Sequence, residues 1–373
     1  MVGAEPTSVL VAEPRAHYPN GHFPNRCAEL ATAYAELGYR VELLTSLGWA
    51  RDQTYPTPPF TVRRWRRWAR RLRRKYHDPW LFTVLLAIEV RACVQTMVPR
   101  PDVVVVLAWD EIPTLLAAIV PLHERWLVNQ FRRSTALPRS GLVDEVARRR
   151  ERRRRADGGA VRIVVAHERL RATWVDVAPF LDPVVAPATG VRRAEPIPDA
   201  RARLGLPSTA KLALLFGEGT LKRRDVVLDA FADLDDWTLV MGGPVADGVV
   251  PGPGMATFPG VVDDDTRDRL FAAADLVVLS FAPDYRNESG TLMDAIAAGT
   301  PVVCCDDATV AEAVVARFRL GPLFRAGDAR SLADAVRAAP AMIDPGDLAA
   351  ARREHSNRSV ARRQLLVMGV VAL

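Results

Sequence analysis

From Lys211 to Cys305 the chain alternates between short apolar runs and amphipathic stretches: KLALLFG, RRDVVLDAFADL, WTLVMGG, TRDRLFAAA, DLVVLSF, LMDAIAAG and PVVCC. The apolar runs are rich in Leu and Val and read as strands covered on both faces. The stretches between them place apolar residues at helical spacing. Repeated strand–helix–strand units imply a doubly wound parallel sheet with right-handed crossovers. In such sheets ligands bind beyond the carboxyl ends of the strands, where the strand order reverses. Binding chemistry is therefore expected in the loops that follow KLALLFG and DLVVLSF.

The first half repeats the pattern in looser form. SVLVAE predicts a strand, followed by a loop with Gly21 and an amphipathic helix from Pro24 to Leu37 that Gly38 closes. YRVELLT, PDVVVVLAW, RWLVNQF and VRIVVAH predict further strands, and the Pro- and charge-rich stretch from Pro187 to Pro207 reads as a linker. At 373 residues the chain suits two domains. The expected division is 1–190, 191–345 and a tail, 346–373, whose REHSNRSVARRQLLVM predicts an amphipathic helix that returns to the first domain.

Composition narrows the class. A chain 49% hydrophobic and 25% charged has the balance of a soluble globular protein. Its four cysteines form no CxxC pair, which fits a reduced, cytoplasmic protein. The N-terminus lacks a basic start followed by an apolar core, and the apolar run from Leu81 to Val98 is broken by Glu89 and Arg91. HExxH, P-loop and GxGxxG signatures are absent, so metalloprotease, NTPase and dehydrogenase readings have no support.

Four stretches carry candidate chemistry. In ESGTLMDAIAAGTPVVCCDD a helix begins on Ser289, Gly290 and Thr291. Ser289 can simply cap it, or the bare N-terminus can hold a phosphate on its unpaired N–H groups and partial positive charge. In FGEGTLKRRD, Gly217 and Gly219 permit a tight turn, and Lys222, Arg223 and Arg224 bring cations to a helix start, either as a solvated end or, since they oppose the dipole, for an anionic partner. Asp294, one turn into the first of these helices, could accept from a ribose or compensate the dipole. DDDT, Asp263 to Thr266, reads as a helix cap from Asp265 or Thr266 rather than a metal site. Two basic runs remain, RRWRRWARRLRRKY and ARRRERRRRADGG. They read as solvated faces with arginine stems over apolar neighbours, or as a surface for an anionic membrane; nucleic acid is the least favoured partner.

Taken in order, these segments resemble the group 1 (family 4-like) glycosyltransferases. LMDAIAAGTPVVCCDD is similar to that family's helix–strand signature, and FGEGTLKRRDVVLDAF to its strand–loop–helix with a diphosphate-binding lysine. FPGVVDDDTRDRLFAAADLVVLS fits the segment between them, and NGHFPNRCAELATAYAELGYRVELLT the glycine loop, helix and second strand of the first domain. The resemblance implies a GT-B fold, two Rossmann-like doubly wound domains facing a cleft. It implies that Lys222, aided by Gly217, Gly219 and Arg223, binds a donor diphosphate cradled by Ser289, Gly290 and Thr291. Asp294 stands at the place of a ribose-binding glutamate, Glu288 near that of a sugar-binding one, and Gly21 in a loop that closes over the donor. The chain departs from the family at Gly219, where an arginine is common, at Arg286, where a glutamate is, and at Val105, where a histidine is.

The implied activity is sugar transfer from a nucleotide-diphosphate-sugar to a hydroxyl or amine of a small molecule, lipid or glycan, with retention of configuration. The donor is a co-substrate, and neither cofactor nor metal is expected, since Lys222 and the helix dipole can stabilise the leaving group. Among His17, His22, Asp110 and Glu111, His22 beside Gly21 is the candidate base. The expected location is the cytoplasm, with peripheral attachment to the inner face of a membrane as the basic runs' contribution. A sugar-nucleotide epimerase and a non-catalytic homologue that binds a partner are the alternatives.

Overall fold

The computed structural model describes residues 7–12, 22–46, 61–65, 79–108, 112–120, 125–130, 141–187, 190–192, 197–217, 222–282, 285, 288–308 and 310–370. The chain divides into two compact units, Met1–Gly190 with Asn357–Leu373, and Val191–Ser356. The second unit runs on past residue 345, because the helix Pro345–Glu354 belongs to it. Only the last helix, Asn357–Val367, lies in the first unit.

In the first unit seven strands form one parallel sheet: β1 Ser8–Ala12, β2 Arg40–Ser46, β3 Thr61–Trp65, β4 Val103–Ala108, β5 Arg125–Gln130, β6 Ala160–Val165 and β7 Val184–Val185. Their order is β3-β2-β1-β4-β5-β6-β7, with the reversal between β1 and β4. The valines of β4 are buried, as expected for a central strand covered on both faces. Sequence reading misses β3, whose TVRRW carries two arginines, and an edge strand tolerates such charge. The apolar run from Leu81 falls largely in the helix Pro79–Gln95. No helix among the described residues is long and apolar enough to cross a membrane.

The two basic runs fare differently. Arg63 to Trp65 lie in β3, and the rest of that run is outside the described residues. The second run ends the helix Gly141–Ala156 and is only partly solvated. Arg154 is fully buried, paired with buried Glu151, and donates to the carbonyls of Ala117 and Val120 at 3.0 and 2.9 Å. Arg150 donates to Val120 as well, at 2.7 Å. These carbonyls close the C-terminal turn of the helix Ile112–Ile119 and need donors from outside it.

The second unit holds a six-stranded parallel sheet: β8 Lys211–Phe216, β9 Trp237–Gly242, β10 Met255–Phe258, β11 Leu276–Leu279, β12 Val302–Cys305 and β13 Leu323–Phe324. The order β10-β9-β8-β11-β12-β13 reverses between β8 and β11, the two strands whose following loops carry the sequence candidates. The cap of the helix Asp264–Ala273 corrects the reading of DDDT. Asp263, two residues before the nearer of the expected caps, accepts from the Thr266 N–H at 2.7 Å. Asp264, Asp265 and Thr266 are inside the helix.

Candidate functional site

The candidate site lies where β8 and β11 end. Leaving β8, the chain turns at Gly217, whose φ of +121° favours glycine. A Cβ there would stand 3.4 Å from Lys222 Cε and 3.7 Å from Thr291 Oγ1, so this glycine is where the lysine stem and the helix start converge. Lys222 pairs by a backbone bridge with Phe281, two residues past the end of β11. Neighbouring strands thus bring together loops that are about sixty residues apart in sequence.

Lys222 is buried, and its Nζ has no hydrogen-bond partner among the described residues. The ammonium stands 4.0 Å from the centroid of the Phe281 ring. Burial lowers its pKa from 10.5 to about 8, with Cys304 and Cys305 opposing part of the shift. The other two cations of FGEGTLKRRD are engaged. Arg223 makes a bidentate pair with Asp225, with contacts of 2.7 to 3.1 Å, and Arg224 donates to the carbonyls of Val245 and Asp247.

The helix Gly290–Ala298 begins beside Lys222. The Ser289 hydroxyl accepts from the Leu292 N–H at 3.1 Å, and the Ser289 carbonyl from Met293 at 3.2 Å. The backbone N–H groups of Gly290 and Thr291 have no acceptor among the described residues. Capping and anion binding, which compete in the sequence, are therefore compatible: the cap satisfies Leu292 and leaves two donors for a ligand. Thr291 Oγ1 lies 3.4 Å from the carbonyl of Phe216, at the end of β8. The Gly299 cap, with a φ of +80°, ends the helix.

Asp294, on the same helix, is buried. Its Oδ1 lies 3.6 Å from Nε of Arg192, which also pairs with Asp268. Glu288 is half-buried, and its carbonyl accepts from the Tyr285 hydroxyl at 3.3 Å. Gly21, Gly219, His17, Asp110, Glu111 and Arg286 lie outside the described residues. His22 opens the helix His22–Glu36, and its side chain is likewise outside them. Val105 is buried in β4. Two participants escape sequence reading, Phe281 and Arg192. Phe281 ends the DLVVLSF run without signalling a role there, and each reaches the site through sheet adjacency or a distant chain segment.

Residues 212–339, most of the second unit and including this site, match the family model of the glycosyl transferases of group 1. The match covers about a third of the chain and lies wholly within the second unit. Solved structures match over nearly the whole chain and show the GT-B fold. Sucrose-phosphate synthase from Thermosynechococcus elongatus shares 15% identity at a TM-score of 0.72, over 98% of this chain and 99% of that one. The glycosyltransferase WaaG, involved in lipopolysaccharide biosynthesis, shares 16% at 0.59, over 98% and 99%. HepE from Anabaena, solved with UDP and glucose, shares 15% at 0.63, over 97% and 99%. No curated protein sequence matches the chain. Within the matched segment, Lys222, Gly217, Ser289, Gly290 and Thr291 meet at the switch point. Arg223 and Asp294 are already held by partners of opposite charge.

Proposed function

We propose that the chain transfers a sugar from a nucleotide-diphosphate-sugar to an acceptor hydroxyl or amine, with the diphosphate bound at Lys222 and at the start of the helix Gly290–Ala298. The observation that carries this reading is the buried ammonium of Lys222 beside the backbone N–H groups of Gly290 and Thr291, none of which has a hydrogen-bond partner among the described residues. A buried charge of this kind is costly until an anion meets it. A diphosphate offers oxygens to both. As the bond between sugar and diphosphate breaks, negative charge grows on the leaving oxygen. A fixed ammonium and a helix N-terminus stabilise that charge more than they do the ground state. The binding of UDP in the Anabaena neighbour of the same fold supports this class of donor. Retention of configuration and transfer without a resident metal complete the proposal.

Thermal unfolding against UDP, GDP, dTDP and ADP, alone and as their common sugar conjugates, tests the donor site. A ligand that binds only the folded state raises its melting temperature by mass action. One nucleotide diphosphate is expected to give a clear rise that Lys222→Ala abolishes. A rise that persists in Lys222→Ala removes this lysine from the site, and no rise with any of them removes the donor reading.

A further inference from the structure

Lys222 and its aromatic neighbour support a second inference, which rests on the diphosphate reading of the same site. Only three of the fifty basic residues are lysines, Lys75, Lys211 and Lys222; the rest are arginines. An ammonium and a guanidinium differ in what can hold them. The ammonium is a compact point charge that suits one aromatic face, whereas the guanidinium is a planar fork. At Lys222 the face is present. Phe281 lies 4.0 Å from Nζ and is backbone-paired with the lysine's own residue. On the ring's other side Tyr285 is stacked, 4.0 Å between centroids and within 9° of parallel. The backbone N–H of Phe281 is fixed from behind by Cys305 Sγ at 3.4 Å. The Phe281 backbone is thus held by the Lys222 bridge and by Cys305, and its ring stacks on Tyr285 and faces the ammonium.

We infer that Phe281 is a positioning residue that keeps the Lys222 ammonium charged and in place for the donor's diphosphate. Burial has removed the water that would otherwise solvate this charge, and the quadrupole of the ring replaces part of it. Among the described residues the groups that could substitute are few. From β12 come Cys304 and Cys305. The Cys304 thiol is pushed well up by its hydrogen bond with Cys305 and by burial, and so stays protonated and neutral. From the helix Gly290–Ala298 comes Thr291, which does not titrate, and Tyr285 stands behind the ring with its hydroxyl turned to the Glu288 carbonyl. Arg223 is turned to Asp225.

Three lysines in the chain make the test direct. Protein labelled with 13C,15N-lysine gives three Cε signals, and the one lost in Lys222→Arg belongs to Lys222. In the wild type this signal is expected to titrate near pH 8, the value burial imposes. In Phe281→Leu, which keeps the apolar bulk without the π face, its midpoint is expected to fall by about one pH unit. Phe281→Tyr is expected to hold the wild-type midpoint. The Lys211 signal, from an exposed residue paired with Asp236, reports whether the unit remains folded. Inorganic pyrophosphate titrated in parallel should lose affinity at a pH lower by the same unit in Phe281→Leu. A Lys222 midpoint in folded Phe281→Leu equal to or above that of the wild type overturns the inference. A shifted midpoint with pyrophosphate affinity flat across pH keeps the ring's hold on the charge but overturns its service to a diphosphate, and with it the donor reading.

Discussion

Lys222 is a liability to the empty protein, and that liability has a pH signature. Its ordinary pKa is 10.5 and its native one about 8, so between those values the unfolded chain holds more protons than the folded one. Stability therefore rises with pH across the window, and the penalty is fully present below pH 8. Lys222→Met removes the charge and keeps the stem. It should stabilise the ligand-free protein at pH 7 by on the order of 2–3 kcal/mol, a margin that vanishes as pH approaches 10.5. Denaturant unfolding of both proteins at several pH values measures this, and a constant margin would place the cost in packing instead. Lys222, Ser289 and Thr291 were legible in sequence because each stands beside the end of an apolar strand run, where switch-point chemistry gathers. Phe281 was not legible, since its meeting with Lys222 follows from the adjacency of β8 and β11 and from their register. Asp294 was legible as a position and not in its surroundings. Its partner Arg192 comes from about a hundred residues earlier, and no spacing rule links the two.

Elements show the same division between periodic and non-local information. The central strands with unbroken apolar runs were readable, whereas the short β7, β10 and β13 offer too few residues to show a pattern and β3 hides its alternation behind arginines at the sheet edge. The helix Gly141–Ala156 is the opposite case, where a long charged run suggests a solvated or membrane-facing surface. Yet its Arg154 is as buried as the core leucines, because the helix Ile112–Ile119 ends in carbonyls that need donors. Composition cannot reveal such a requirement, which arises only once two helices pack. Arg154→Met should leave Glu151 buried with a distant cation, Arg155 at 3.8 Å, the Ala117 carbonyl without its arginine donor, and Val120 with Arg150 alone. The expected loss is about 3 kcal/mol. The double variant Arg154→Met, Glu151→Leu should recover part of it, since paired removal leaves no uncompensated charge. Chemical denaturation of the single and double variants decides this. If the single variant unfolds like the wild type, Arg154 is one more surface arginine in effect.

At the scale of the whole molecule, the chain leaves its first unit at Gly190 and returns at Asn357. The second unit's two ends are stitched together, with Val191 bridged to Ser356 and its N–H donating to the His355 carbonyl at 2.6 Å. This unit, which matches the family model, is thereby closed on itself. The first unit is not closed without the residues that follow. Val360, Ala361, Leu365 and Met368 belong to its core with Val9, Leu43 and Leu127. Buried Tyr34 donates to Gln364, both far from water, and burial pushes the Tyr34 hydroxyl well up, so it stays a neutral donor. The last helix is thus a core element of a unit whose other elements ended about 170 residues earlier. Stability of the two units should be separable by mutation there. Leu365→Ala, at a position 1% exposed, should cost the first unit about 2–5 kcal/mol through lost burial and the cavity left behind. Scanning calorimetry with and without a stabilising nucleotide diphosphate separates the transitions, because only the unit that holds the ligand shifts with it. The ligand-independent transition should move down in Leu365→Ala while the ligand-dependent one stays in place. If both fall together, the two units unfold as one cooperative body and the last helix serves the stability of the whole chain.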